Sequence, residues 1–216
     1  LITVDKLGNP IDSEKVFGSE VDEEILNFKV EGGDIWISER NKLMRLHIKS
    51  KDLTIIHTWD SDLVKQVYPL SGSRAIVLDG PSIYIATKNA TRKLEAPMPG
   101  MDIRSILIDQ PSKEIYFGTK DKGLYRANYT ETDFRLSQLQ KVFVESIDDQ
   151  IVTIQRLYKS PEPNEDLIWC GTRSHGLFHY SKSKNLFTHL LPILKSQLNF
   201  TGSIYSILPE DKITWL

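Results

Sequence analysis

The chain has one cysteine, Cys170, which excludes an internal disulfide and a multi-cysteine zinc site. It stands in an apolar strand pattern with nothing adjacent to lower its pKa, as expected of a buried, inert thiol. No run of about 18 apolar residues occurs, so no segment has the make-up of a membrane-spanning helix. Neither sign of charge dominates: 27 Lys and Arg against 29 Asp and Glu leave a formal net charge of −2. That gives no overall reason to expect nucleic acid or an anionic membrane surface as partner. G-x-S-x-G, a phosphate-cradling Walker loop, H-E-x-x-H and paired catalytic carboxylates are all missing. Helical periodicity is nearly absent too; only Leu190 to Leu198 reads as a helix, with Pro192 in its first turn. The opening Leu1-Ile2-Thr3-Val4-Asp5 has neither a Met nor the zones of a signal peptide. The closing Ile213-Thr214-Trp215-Leu216 stops inside a strand pattern. Both ends are those expected of a segment of a longer protein.

What the chain does have is repetition. Ile115-Tyr116-Phe117-Gly118-Thr119, three residues, then Gly123-Leu124-Tyr125 recurs as Ile168-Trp169-Cys170-Gly171-Thr172, three residues, then Gly176-Leu177-Phe178. The echo extends to Phe134 and Phe187. Weaker copies of the aromatic strand stand at Ile35-Trp36-Ile37-Ser38, Ile83-Tyr84-Ile85-Ala86-Thr87 and Ile213-Thr214-Trp215-Leu216. Aligning residues 36, 84, 116, 169 and 215 gives spacings of 48, 32, 53 and 46. A period of roughly 45 residues rich in β-branched and aromatic side chains fits a four-stranded propeller blade better than any helical repeat.

The expected fold is therefore all-β, an incomplete segment of a propeller built of four-stranded antiparallel blades. The reading divides 1–216 into a partial blade over 1–24, units near 25–66, 67–100, 101–145 and 146–200, and the start of a further blade over 201–216. In each unit an inner strand, such as Arg104 to Ile108 or Ser203 to Ile207, precedes the aromatic strand, and a turn closed by Gly123 or Gly176 follows it. Glycine at 118 and 171 is expected to let a neighbouring blade's backbone come close, with Tyr116, Trp169 and Trp36 filling the space between blades. In the Tyr84 unit, Glu95 to Gly100 is expected to replace the outer strand. Pro161 to Asp166 reads as a polar insertion.

Ser105-Ile106, Ile115-Tyr116-Phe117-Gly118-Thr119 and Gly123-Leu124-Tyr125, with their second copy through His179-Tyr180, resemble the two-component regulator propeller repeat. Ser206-Ile207-Leu208-Pro209-Glu210-Asp211 looks like the opening half of another copy. The resemblance implies a periplasmic sensor region, common in gut Bacteroidetes, anchored in the inner membrane through its parent protein. In such proteins tandem propellers of seven blades, the size then expected for the ring to which this segment belongs, precede a small β-sandwich, a membrane helix, a histidine kinase and often a DNA-binding response regulator. It further implies an oligosaccharide ligand, a homodimer, no enzymatic activity in this segment, and signal transduction by phosphorelay to transcription. A catalytic propeller, such as a glycan lyase or hydrolase, and a protein-interaction scaffold are the alternatives. Ser105 to Pro111 lacks the glycine and tryptophan of a sialidase-type Asp box.

Candidate ligand-binding residues come from the turns expected between second and third strands. Glu39-Arg40-Asn41-Lys42, Lys88-Asn89-Ala90-Thr91-Arg92, Lys120-Asp121-Lys122 and Arg173-Ser174-His175 each carry a cation. Arg40, Lys88, Lys120, Lys122, Arg173 and His175 could meet carboxylates or sulfates of an acidic sugar, although hairpin tips are also polar simply because water solvates them. Trp59, in a polar loop, could stack on a sugar face; Tyr68 and Trp36 are further aromatics, Trp36 being better placed as core. No cofactor is expected. No metal is expected either, because a glycine turn separates His175 from His179 and His47, His57 and His189 are dispersed. Asn89-Ala90-Thr91, Asn128-Tyr129-Thr130 and Asn199-Phe200-Thr201 match the N-glycosylation sequon.

Overall fold

A computed structural model describes residues 2–4, 10–13, 27–60, 65–70, 73–95, 97–142, 152–160, 166–184, 186–190, 208–210 and 213–215. The expected helix beyond Leu190, the strand Ser203 to Ile207 and the Pro161 to Glu165 insertion lie outside them. The chain forms two compact units, Leu1–Leu94 and Glu95–Leu216. Among the described residues all regular structure is strand.

The first unit opens with a hairpin of β1 (Ile2–Val4) and β2 (Pro10–Ser13). Two four-stranded antiparallel sheets follow. One contains β3 (Asn27–Glu31), β4 (Asp34–Ser38), β5 (Lys42–His47) and β6 (Leu53–Thr58). The other contains β7 (Lys65–Leu70), β8 (Arg74–Asp79), β9 (Ser82–Ala86) and β10 (Thr91–Leu94). In both, chain order is sheet order, so every connection is a hairpin. β7 lies against β3 and β4. The joint buries Trp36, Leu43, Ile56 and Trp59 from one sheet against Val67, Ala75, Val77 and Ala86 from the other.

The second unit repeats this plan with β11 (Ile103–Asp109), β12 (Glu114–Thr119), β13 (Leu124–Tyr129) and β14 (Leu136–Lys141). Its second sheet is β15 (Ile154–Lys159), β16 (Leu167–Thr172), β17 (Leu177–Ser181) and β18 (Leu186–His189). A hairpin of β19 (Leu208–Glu210) and β20 (Ile213–Trp215) closes the described chain. β15 lies against β11 and β12 as β7 does against β3 and β4. Tyr116, Leu124 and Val142 are buried with Val152, Ile154, Ile168, Cys170, Phe178 and Tyr180. Strand alternation explains the division of labour: odd positions of the second strand face one neighbour and even positions the other. Thus Tyr116, third in β12, meets Ile168 and Cys170, second and fourth in β16.

Close approach at the joint requires Gly118. A Cβ there would stand 2.3 Å from Ser105 Oγ, 2.7 Å from Ile154 Cγ2 and 3.0 Å from the Ile154 carbonyl oxygen of the adjoining sheet. Ser105 donates a hydrogen bond to that carbonyl at 3.4 Å. The glycine therefore serves packing, as its place in the repeat suggested.

One expectation is corrected. Tyr84 lies in β9, a third strand, and not in a second strand. The second strand of that sheet is β8, and the residue in the place of Trp36 and Tyr116 is Ile76. The third residues of β4, β8, β12, β16 and β20 are then 36, 76, 116, 169 and 215. Glu95 to Gly100 replaces nothing, because β10 already supplies the fourth strand.

Candidate functional site

In the four-stranded sheets the sixth residue counted from the start of the second strand is polar and buried: Asp79, Thr119 and Thr172 end β8, β12 and β16, and Glu39 directly follows β4. In the second unit this residue fixes the turn. The Thr119 hydroxyl donates to the Gly123 carbonyl at 2.7 Å and accepts from the Lys122 amide at 3.0 Å. Thr172 does the same with Gly176 and His175, at 2.7 and 3.0 Å. Gly123 and Gly176 adopt φ of 78° and 71°, a left-handed conformation that favours glycine. The repeated Gly-Thr-x-x-x-Gly is thus a rigid hairpin with both turn polar groups satisfied.

The turns are also tied together. The Lys120 amide donates to the Asp102 carbonyl at 2.9 Å, and the Arg173 amide to the equivalent Thr153 carbonyl at 3.1 Å. The Thr153 hydroxyl in turn donates to the Lys120 carbonyl. Lys120 and Arg173, in adjoining sheets, are therefore both bonded to one residue. Their side chains are exposed. Lys122 is half-buried and donates to the Gly100 carbonyl at 3.2 Å; the half-buried His175 has its Nδ1 3.2 Å from Ser174 Oγ.

In the first unit, Arg40 is exposed in the β4–β5 turn, whose Glu39 is buried with Lys42 Nζ 3.6 Å away. Lys88 is exposed but misplaced by the sequence reading: it lies between the third and fourth strands, at the other end of its sheet from the β8–β9 turn. That β8–β9 turn, Asp79-Gly80-Pro81-Ser82, has no cation. Trp59 is likewise relocated. It is only 8% exposed, with its ring edge-on to His57 at 4.4 Å and to Tyr84 at 5.6 Å, so neither face is open for a sugar. Trp36 is fully buried, while Tyr68 is half-buried with its hydroxyl on Gln66 Oε1 at 2.6 Å. Of the sequons, Asn89 is in an exposed turn, Asn128 donates to Gln138 Oε1 at 2.7 Å, and Asn199 lies outside the described residues.

The opposite ends of the sheets carry charge clusters that sequence reasoning missed. Asp109 is 2.7 Å from Lys159 Nζ and 3.8 Å from Lys182 Nζ. Lys182 also reaches Glu114 at 2.5 Å, and Glu114 accepts from Tyr116 at 3.0 Å and Ser112 at 3.1 Å. Burial raises the pKa of both carboxyls, but hydrogen bonds and the lysine charges outweigh it and hold both below their usual values. Asp34, first in β4 as Glu114 is first in β12, is bonded by His47 Nδ1 at 2.9 Å and by Ser73 at 2.8 Å, with Arg45 3.7 Å away. Burial raises its pKa too, but these partners outweigh burial and hold it below its usual value. The signal available in sequence was an acidic residue two places before the interblade aromatic, in Asp34-x-Trp36 and Glu114-x-Tyr116. Burial pushes the Cys170 thiol far up, as an inert residue requires. Among the described residues no group of three or more His, Cys, Asp or Glu could hold a metal ion.

No family model matches the chain, and no curated protein matches it. Solved structures do. One is the extracellular domain of BT4673 from B. thetaiotaomicron, described as a proposed one-component system: 16% identity, TM-score 0.61, over 90% of this chain and 25% of that one. A second structure of that domain, described as belonging to a proposed hybrid two-component system, gives 15% identity and a TM-score of 0.60 over the same shares. This chain has the fold of a β-propeller segment. It spans a quarter of the length of those two structures, 25% of each, and at such identity the likeness is one of fold.

Proposed function

We propose that this chain is part of the extracytoplasmic sensor region of a two-component system, located in the periplasm and held to the inner membrane by its parent protein. In this reading it binds an oligosaccharide, and binding biases a homodimer whose signal passes to a downstream histidine kinase and on to transcription. The observation that supports it is the fold shared over 90% of the chain with an extracellular sensor-system domain, joined to a two-component-type repeat in the sequence. The chemistry of the buried carboxyls supports a binding role over catalysis. A general acid needs a raised pKa, whereas Asp34, Asp109 and Glu114 are all lowered and held in contacts between sheets.

The test is made on the full-length protein from which this chain comes. A panel of neutral and acidic oligosaccharides should include one that raises its thermal midpoint, and its remaining sequence should hold a membrane helix and a histidine kinase. A full-length protein with no kinase, and with hydrolytic or lyase activity on the panel, would overturn the reading.

A further inference from the structure

We propose that the paired turns of the second unit, 119–123 and 172–176, form a binding site for the anionic group of an acidic saccharide, a carboxylate or a sulfate ester, with Lys120 and Arg173 as its principal ligands. This rests on the sensor reading above and narrows its ligand.

Two observations carry it. The first is rigidity. Each turn is fixed by a threonine hydroxyl to its own glycine carbonyl and by a backbone amide to the residue before its inner strand, and Thr153 joins the two. Cations on such a frame lose less freedom on binding than cations on a loose loop. The second is the state of the cations. In the same two sheets Lys113, Arg126, Arg135, Lys159 and Lys182 are each engaged, by Glu131, Gln140, Asp133, Asp109 and Glu114. Lys120 and Arg173 are exposed, and among the described residues no other side chain bonds to theirs; Lys141 and Lys184 share that state, and what sets Lys120 and Arg173 apart is that Thr153 joins their two turns. Asp121, exposed in the first turn, offsets one charge, and Asp102 is already paired with Arg104 at 2.7 Å. Lys120, Lys122 and Arg173 leave the rim cationic. Arg173 supplies a planar fork suited to two oxygens of one carboxylate or sulfate, and Lys120 a compact point charge on the adjoining turn.

The experiment titrates this chain with glucuronate, glucose, N-acetylglucosamine 6-sulfate and N-acetylglucosamine, following amide chemical shifts by NMR. The acidic member of each pair should bind more tightly, shift the amides of Lys120 and Arg173, and weaken as salt rises. Arg173→Glu and Lys120→Glu should each weaken it about tenfold or more, the loss of a charge-assisted hydrogen bond. Lys184→Glu, an equal charge change in the β17–β18 turn, should leave it unchanged. Should Arg173→Glu fold poorly, Arg173→Gln replaces it. Equal binding of acidic and neutral sugars, or equal loss in Lys184→Glu and Arg173→Glu, overturns the site while leaving the sensor reading standing. That reading fails separately, on the full-length protein.

Discussion

The carbonyl oxygen of Ile154 lies 3.0 Å from the point where Gly118 would carry a Cβ. One sheet thus approaches the next at a place where a single methyl group is too many. Gly118→Ala must displace Ile154 or push β11 away from β12, at a cost of about 1–3 kcal/mol. The expected outcome is a lower urea midpoint with an unchanged slope. A variant as stable as the parent would mean that the joint has slack.

The two tryptophans of the repeat should behave differently although they hold equivalent places. Trp36 is fully buried between sheets, whereas Trp169 is half-buried beside His179, ring centroids 5.8 Å apart. Trp36→Ala should cost about 3–5 kcal/mol, and Trp169→Ala clearly less. Denaturation of both variants under one condition makes the comparison.

Thr119→Val keeps the shape of the residue but removes the hydroxyl that serves both Gly123 and Lys122. A loss of about 1 kcal/mol is expected, with faster hydrogen exchange at the Lys122 amide in particular. Thr172→Val should expose the His175 amide in the same way. Unaltered exchange at both amides would show that the glycines alone hold these turns.

Acid should loosen the joint between the two sheets of the second unit. Asp109 and Glu114 are held below their ordinary values of 3.8 and 4.5, because contacts with Lys159, Ser112, Lys182 and Tyr116 outweigh the effect of burial. A carboxyl lowered in the folded state contributes its stability in full above its unfolded value and loses it as pH falls through the folded one. Stability should therefore be level near neutrality and decline below about pH 4.5. Asp109→Asn should lower stability at pH 7 and flatten the acid decline, leaving the shares due to Glu114 and Asp34. Parallel curves for parent and variant would remove Asp109 from the account.

The parts of the fold written twice in the chain were legible as sequence. Gly118 and Gly171, with their threonines and the closing Gly123 and Gly176, announced two identical hairpins, and Tyr116 declared itself as interblade core. The β7–β10 sheet was misread because its second strand, Arg74–Asp79, has neither the aromatic nor the glycine of the repeat. Tyr84, one strand later, supplied a false match. The Asp79-Gly80-Pro81 turn and the even spacing of residues 36, 76 and 116 were the available correction. Trp59 misled for a different reason: its neighbours in sequence are polar, but its burial is set by Tyr84 and Val67 across the joint, which no local pattern records. The partners of Asp34 and Asp109 were not legible on similar grounds, since they lie up to 73 positions away, even though the acid two places before Trp36 and Tyr116 was in plain view.

Thr153 grips one hairpin through its hydroxyl and the next through its carbonyl. Neither tip can tilt without pulling on its neighbour, so a load placed on one is shared by the pair. The rim of these two sheets is held together as one piece, and a molecule seated on either hairpin would bear on both.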